Sequence, residues 1–203
     1  MPTVESLADR FVAELGQRPD VYLVGIAGIP GSGKTTFCQS VVERLPDAVI
    51  VPMDGYHLPR NVLTPDQMQR RGVPDTFDQV AFRSDLEQLK RMRAGVFPGF
   101  DHAEKDPKPA VYKVVPEVSV VIVEGLYLFL SDWRLESLFD LKLFLDCDLD
   151  QTTERLAVRH LEAGIVASLE DGRRRALGSD RDNAMLILAD GCRERADLVF
   201  CTS

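Results

Sequence analysis

One octapeptide constrains this chain more than any other feature: Gly28-Ile29-Pro30-Gly31-Ser32-Gly33-Lys34-Thr35. It satisfies G-x-x-x-x-G-K-[ST] in full. The apolar run 21–27 precedes it, and the helical pattern 35–45 follows, with Phe37, Val41, Val42 and Leu45 on one side. Strand, glycine turn and helix are the setting this motif needs. Glycines at 28, 31 and 33 reach backbone angles that other residues avoid. Successive N–H groups then converge on one anion, backed by the positive end of the helix. Lys34 adds a cation for the β- and γ-phosphates, and the Thr35 hydroxyl a ligand for Mg²⁺. The expected ATP-binding set is Gly28, Pro30, Gly31, Ser32, Gly33, Lys34, Thr35 and Thr36.

A phosphate loop alone does not separate kinases from switch GTPases, motors and ATPases. The guanine-specifying N-K-x-D is absent, and no aspartate of the usual kind ends a strand near an apolar run. Instead 120–125, Val-Val-Ile-Val-Glu-Gly, puts Glu124 at the carboxyl end of a strand, the edge of a parallel sheet where ligands bind. A carboxylate there suits a metal-side role with Thr35. The strand at 48–51 opens onto Pro52-Met53-Asp54-Gly55-Tyr56-His57. Asp54 projects over the same edge and is placed to take a proton from an attacking hydroxyl. Tyr56 and His57 are candidate walls of the acceptor pocket.

The whole chain agrees with a globular α/β protein. It has 203 residues, 45% hydrophobic and 28% charged, which excludes disorder and fibres. Its formal net charge of -8 has the wrong sign for a general nucleic-acid binder. The start Met1-Pro2-Thr3-Val4-Glu5 lacks the basic and apolar regions of a leader. The longest apolar run, 118–130, is broken by Glu124 and too short to span a bilayer. Cys38, Cys147, Cys192 and Cys201 form no C-x-x-C, so they read as apolar fillers of a reduced, cytoplasmic protein.

Periodicity predicts helices at 4–15, 35–45, 80–92, 150–163 and 182–189, and strands at 21–27, 48–51, 118–123, 141–145 and 198–200, with a small strand at 111–115. Residues 60–78 and 97–109 read as irregular, Trp133 and Phe139 as packing outside the sheet, and Asp180, Asp182 and Asn183 as caps of the last helix. Alternating strands and helices imply a parallel sheet covered on both faces. Nothing divides residues 1–203, so a single domain is expected.

The ordered motifs resemble one family. The phosphate loop, Met53-Asp54-Gly55-Tyr56-His57, the run 70–78 (Arg-Arg-Gly-Val-Pro-Asp-Thr-Phe-Asp) and Val123-Glu124-Gly125 together are similar to the uridine kinase, phosphoribulokinase and pantothenate kinase group. The likeness is greatest to its small bacterial branch labelled fructose-transport-system kinases, through Phe100-Asp101-His102, 123–128 and 174–184. It spans about 21–200. The resemblance implies a P-loop NTPase three-layer α/β/α sandwich, with a mainly parallel five-stranded sheet, an acceptor-site insertion at about 55–115 and a helical lid at about 150–180. It implies an ATP- and Mg²⁺-dependent kinase acting on the hydroxyl of a small molecule.

By the same resemblance Asp54 aligns with the catalytic aspartate and Glu124 with the metal-side acid. Asp75 and Phe77 fall in the insertion that shapes the acceptor pocket. Asp101 and His102 match a loop facing the acceptor, His102 standing where an arginine is the pattern. The lid carries arginines over the phosphates, with Arg159 first and Arg155 second; four residues apart, they share a helix face. Sugar, nucleoside and pantothenate-like acceptors stay open, as does quaternary state, a homodimer included. No nucleic-acid or membrane partner is expected. The competing reading is a nucleotide-dependent regulatory NTPase acting with a protein partner.

Overall fold

Every strand of the main sheet runs the same way. The computed structural model describes residues 3–202. Strands β1 (Leu23–Gly28), β2 (Ala48–Pro52), β5 (Val120–Gly125), β6 (Leu141–Asp146) and β7 (Leu198–Cys201) form a five-stranded sheet in the order β2-β5-β1-β6-β7. All four pairings are parallel. The other two strands, β3 (Gly95–Asp101) and β4 (Asp106–Val114), make a separate antiparallel hairpin. Both faces of the sheet are apolar because its strands alternate between two cores. Val24, Ile26, Ile122, Leu141 and Leu143 face one; Leu23, Ala27, Val121, Val123 and Phe144 face the other. This is the mainly parallel five-stranded α/β architecture that the sequence resemblance implies.

Helices cover the two faces. On the first lie α1 (Val4–Gly16) and α2 (Lys34–Val42), through Leu7, Phe11, Phe37 and Val41. Thr3 caps α1 by accepting from the Ser6 N–H, and the apolar spacing of Leu7, Phe11 and Leu15 sets its buried side. On the second face lie α4 (Gln79–Met92), through Phe82, Leu86 and Leu89, and α7 (Arg181–Ala189), through Ala184 and Ile187. Asp78 caps α4, and Arg93 ends it at φ 54°. The short α3 (Pro65–Gln69) carries a Thr64/Gln67 capping box. Helices α5 (Leu149–Glu162) and α6 (Leu169–Arg175) follow β6, and a π-turn at Ala176–Asp180 leads into α7. Among the described residues no helix is long and apolar enough to cross a membrane. Met1 and Pro2, on which the reading of the chain's start partly rests, lie outside the described residues.

Residues 97–109 are not a loop but most of the hairpin β3–β4. Prolines hide it: Pro98 sits at the register shift between Phe97 and Gly99, and Pro107 and Pro109 lie on a strand with an open edge, where the missing N–H costs no ladder bond. Trp133 and Phe139 pack on a face of the sheet and are buried there. Trp133 is 5% exposed and packs 5.6 Å from Tyr127, while Phe139 lies against Gly25 and Phe129. The segment between β5 and β6 folds back over the sheet and encloses both rings. Of the cysteines, Cys201 is exposed rather than a filler.

The hairpin is seated on the turn after β2. A Cβ on Gly55 would lie 2.2 Å from the Pro98 carbonyl oxygen, a backbone contact that cannot give way cheaply. Gly55→Ala is expected to lower stability by about 1–3 kcal/mol, the usual cost of overpacking. Urea unfolding measures it; a loss below about 0.5 kcal/mol would mean that the hairpin is not held there.

Candidate functional site

Parallel strands bring their carboxyl ends to one rim. At that rim β1 runs into the glycine loop, β2 into a 3₁₀ turn at Met53–Tyr56, and β5 ends on Glu124-Gly125. The register sets Pro52 beside Glu124 and Ala27 beside Gly125. A cleft of about 650 Å³ opens above them. Its floor holds Lys34, Thr35, Asp54 and Glu124. The hairpin contributes Phe100, His102 and Tyr112 as one wall, and α5 contributes Arg155, Leu156 and Arg159 as another, with Asp180 beside them.

The loop has the form its glycines allow. Gly31 and Gly33 take φ of 78° and 86°, the left-handed region. Gly28 is needed for close approach, since a Cβ there would meet Leu145 O at 2.6 Å and Ser32 Oγ at 2.7 Å. The Lys34 ammonium is buried and donates to Gly28 O (2.9 Å), Ile29 O (3.0 Å) and Ser32 Oγ (3.4 Å). Burial holds its pKa down to about 8, against the pull of Glu124 and Asp54 and with a push from Arg159. Burial also pushes the Glu124 carboxyl up; Lys34 and the Thr35 hydroxyl oppose it. The Thr35 hydroxyl donates to Glu124 Oε1 at 3.0 Å.

These groups fit a nucleotide triphosphate and its metal. The Gly33 carbonyl accepts the first bond of α2, from Phe37 N, so the Lys34 N–H points out of the helix toward the loop. Positive φ at Gly33, with open space where a Cβ would stand, leaves room for an anion there. Thr35 and Glu124 are hard oxygen donors already in contact, the set that Mg²⁺ takes alongside substrate phosphates. Among the described residues no cluster of three or more His, Cys, Asp or Glu could hold a metal without such help.

The acceptor-side candidates divide. Asp54 is exposed at the cleft, and no hydrogen bond among the described residues engages its carboxylate. His57 lies behind it: its Nδ1 donates to Asp54 O at 2.9 Å, and its ring packs between Phe77 and Phe100, with centroids at 4.0 and 4.7 Å. Burial holds its pKa below the ordinary histidine value. His102 lines the cleft. The structure does not bring the other four into it. Tyr56 is buried with its hydroxyl on Asp85 Oδ2 at 2.7 Å, and Phe77 is a core ring against Tyr127 and Trp133. Asp75 forms a two-pronged pair with Arg70, and Asp101 caps its own turn through Ala103 and Glu104 N–H while pairing with Lys108.

Of the basic residues in the segment 149–175, Arg155 and Arg159 reach the cleft, and Arg155 Nη1 lies 3.3 Å from Cys147 Sγ. Arg173 instead pairs with Glu154, and Arg174 with Asp171. Asp180 is a correction. It makes no side-chain cap on α7; the π-turn supplies the carbonyls of Ala176 and Gly178 to the Arg181 N–H. Its carboxylate is freed to accept from His160 Nε2 at 2.8 Å while it lines the cleft. Tyr112 is a cleft residue that the sequence reading does not single out, because prolines at 107 and 109 obscure its strand. A two-residue period puts Tyr112 on the face of buried Val114, which was the available signal.

The family model described as an AAA domain matches residues 24–175. The chain belongs to this family of P-loop kinases. A Schizosaccharomyces pombe protein named "Putative uridine kinase C227.14" is 32% identical over 204 residues, covering 92% of this chain and 87% of that one. A Zygosaccharomyces rouxii protein named "ATP-dependent kinase YFH7" is 31% identical over 206 residues, covering 83% of this chain and 55% of that one. The crystal structure titled as a "putative fructose transport system kinase" from Silicibacter sp. TM1040 superposes with a TM-score of 0.82 at 32% identity, covering 98% of this chain and all of that one. Family membership implies ATP, usually with Mg²⁺.

A lysine with a pKa of about 8 makes nucleotide binding depend on pH. Phosphates attract the protonated form, so binding is strongest where Lys34 already carries its proton. ADP affinity is expected to stay level from pH 7 to about 8 and then fall by up to tenfold per unit. Lys34→Ala should bind weakly and without this bend. Calorimetric titrations across pH 7–9.5 check it; a wild-type affinity that rises with pH would reverse the assignment.

Proposed function

We propose that this chain is an ATP-dependent small-molecule kinase that transfers the γ-phosphoryl group to an alcohol of a sugar, nucleoside or pantothenate-like acceptor. The observation that carries the reading is the pairing of two unlike acids at one rim. Glu124 is buried and bonded to Thr35, and Asp54 is exposed and unbonded one strand away. The first suits a metal; the second suits a proton.

In this reading Asp54 accepts the proton of the acceptor hydroxyl as its oxygen bonds to phosphorus, and the oxygen bridging the β- and γ-phosphates leaves with ADP. Mg²⁺, held by Thr35 and Glu124, would supply charge neutralisation between the phosphates. Lys34 leaves the loop carbonyls for the phosphate oxygens, and Arg155 and Arg159 close over the transferring group. Residues 150–180 act as a lid that excludes water, so that ATP is not hydrolysed in the absence of an acceptor. His57 holds the turn that aims Asp54, and Phe100, His102 and Tyr112 line the acceptor's place. A regulatory NTPase would have no use for a proton acceptor facing an aromatic wall.

A coupled ADP-release screen over sugars, nucleosides and pantothenate, with ATP and Mg²⁺, tests the class. At least one acceptor is expected to raise ADP release above acceptor-free hydrolysis. Hydrolysis indifferent to every alcohol would favour the regulatory NTPase. With an acceptor in hand, Asp54→Asn should lower kcat by about 10²- to 10⁴-fold while ADP binding stays within about twofold. A variant that keeps its kcat would remove Asp54 from the proton's path.

A further inference from the structure

The phosphate loop is braced from behind by the end of the last strand. Thr202 follows β7 and is buried. Its N–H donates to Asp146 O at 2.8 Å. Its hydroxyl donates to Ser32 O at 2.9 Å, with Asp146 O a second acceptor at 3.3 Å. Ser32 itself is fully buried.

This one bond decides which way a peptide faces. In a trans peptide the C=O and the following N–H point in opposite directions. With Ser32 O turned outward to Thr202, the Gly33 N–H is turned inward, to the concave side of the loop. The next peptide is fixed independently, because Gly33 O accepts from Phe37 N at 2.9 Å within α2. The Ser32–Gly33 peptide has no such helical anchor. It is followed by a glycine at φ 86° with open space where a Cβ would stand, the residue type whose own backbone least resists a reversed peptide. Reversed, it would present a carbonyl oxygen to an anion in place of a donor.

We propose that Thr202 is a positioning residue for phosphate binding, and that its hydroxyl holds the Ser32–Gly33 peptide in the orientation that offers the Gly33 N–H to a nucleotide's β-phosphate. Thr202 touches no ligand itself; it acts through the loop. The proposal rests on the reading of the loop as the phosphate site, and it needs no knowledge of the acceptor. It also gives a use to a polar residue that is buried directly after the strand Leu198-Val199-Phe200-Cys201.

The test uses the full chain with ADP as the probe. Wild type, Thr202→Val and Thr202→Ser are titrated with ADP by calorimetry, the Gly33 amide resonance is followed by ¹⁵N NMR, and each ligand-free melting temperature is recorded. Thr202→Val is expected to bind ADP about tenfold or more weakly, the loss of one charge-assisted hydrogen bond, and to lose the downfield shift of the Gly33 amide that ADP causes in wild type. Thr202→Ser should restore both. Should the valine variant unfold, Thr202→Ala gives the same comparison without the buried branch.

Wild-type affinity in the hydroxyl-less variants overturns the proposal. So does weaker binding with the Gly33 shift intact, or a serine variant as poor as valine, since either outcome points to packing alone. A wild-type chain that binds no ADP, with Lys34→Ala no different, overturns the phosphate-site reading and this role together. ADP binding that Lys34→Ala abolishes but Thr202→Val leaves alone overturns only the role.

Discussion

A lysine ammonium and a glutamate carboxylate are both buried at the rim of neighbouring strands, and each makes the other's burial tolerable. Desolvation alone drives Lys34 toward the neutral amine and Glu124 toward the neutral acid. Their attraction opposes both shifts, and the loop carbonyls and the Thr35 hydroxyl satisfy what remains of their hydrogen bonding. The arrangement depends on sheet register. Side chains alternate along β5, so a slip of one residue would turn Glu124 from the rim into the core that now holds Val123. The apolar run before Glu124 is what prevents the slip, because Val121 and Val123 fill one core and Ile122 the other.

The remainder of the cleft is assembled onto that rim by segments remote in sequence. The hairpin reaches it because Gly55 lets the Asp54 turn lie against the Pro98 backbone. The segment after Arg70-Arg71 is tied in at a single carbonyl: Gly72 O accepts from the buried Tyr127 hydroxyl at 2.6 Å and from Asn183 Nδ2 at 3.4 Å. Tyr127 follows the β5 rim and Asn183 belongs to α7. One backbone oxygen therefore links the segment between β2 and α4, the residues after β5 and helix α7. Arg71 adds a second tie, from Leu58 O to Asp106 at the turn end of the hairpin.

What was legible in the sequence follows from how local each feature is. The loop, Asp54 and Glu124 could be placed because each adjoins a strongly apolar strand, and a parallel sheet collects such ends at one edge. Asp75 and Asp101 could not be placed. Whether an exposed aspartate faces a cleft or pairs with Arg70 or Lys108 is settled by loop geometry, and both partners are ordinary surface residues. The hairpin was lost to its prolines, and with it Tyr112. Arg155 and Arg159 could be told from Arg173 and Arg174 only in part, since helical spacing gives a shared face but not the direction it turns.

Where backbone regularity breaks, side chains are released toward the cleft. Had α7 begun in the usual way, Asp180 would have been consumed as its cap. The π-turn at Ala176–Asp180, with Gly178 at φ -92° and ψ -115°, supplies main-chain acceptors instead, and the carboxylate is left for His160. His160 shares α5 with Arg155 and Arg159, so this pair sets the start of α7 against the helix that carries both cleft arginines. The glycine loop follows the same logic in reverse. There a side chain, Thr202, takes up a main-chain oxygen and so holds a peptide that no helix or strand would hold. In both places the chain departs from regular structure, and a specific hydrogen bond stands in for the missing regularity.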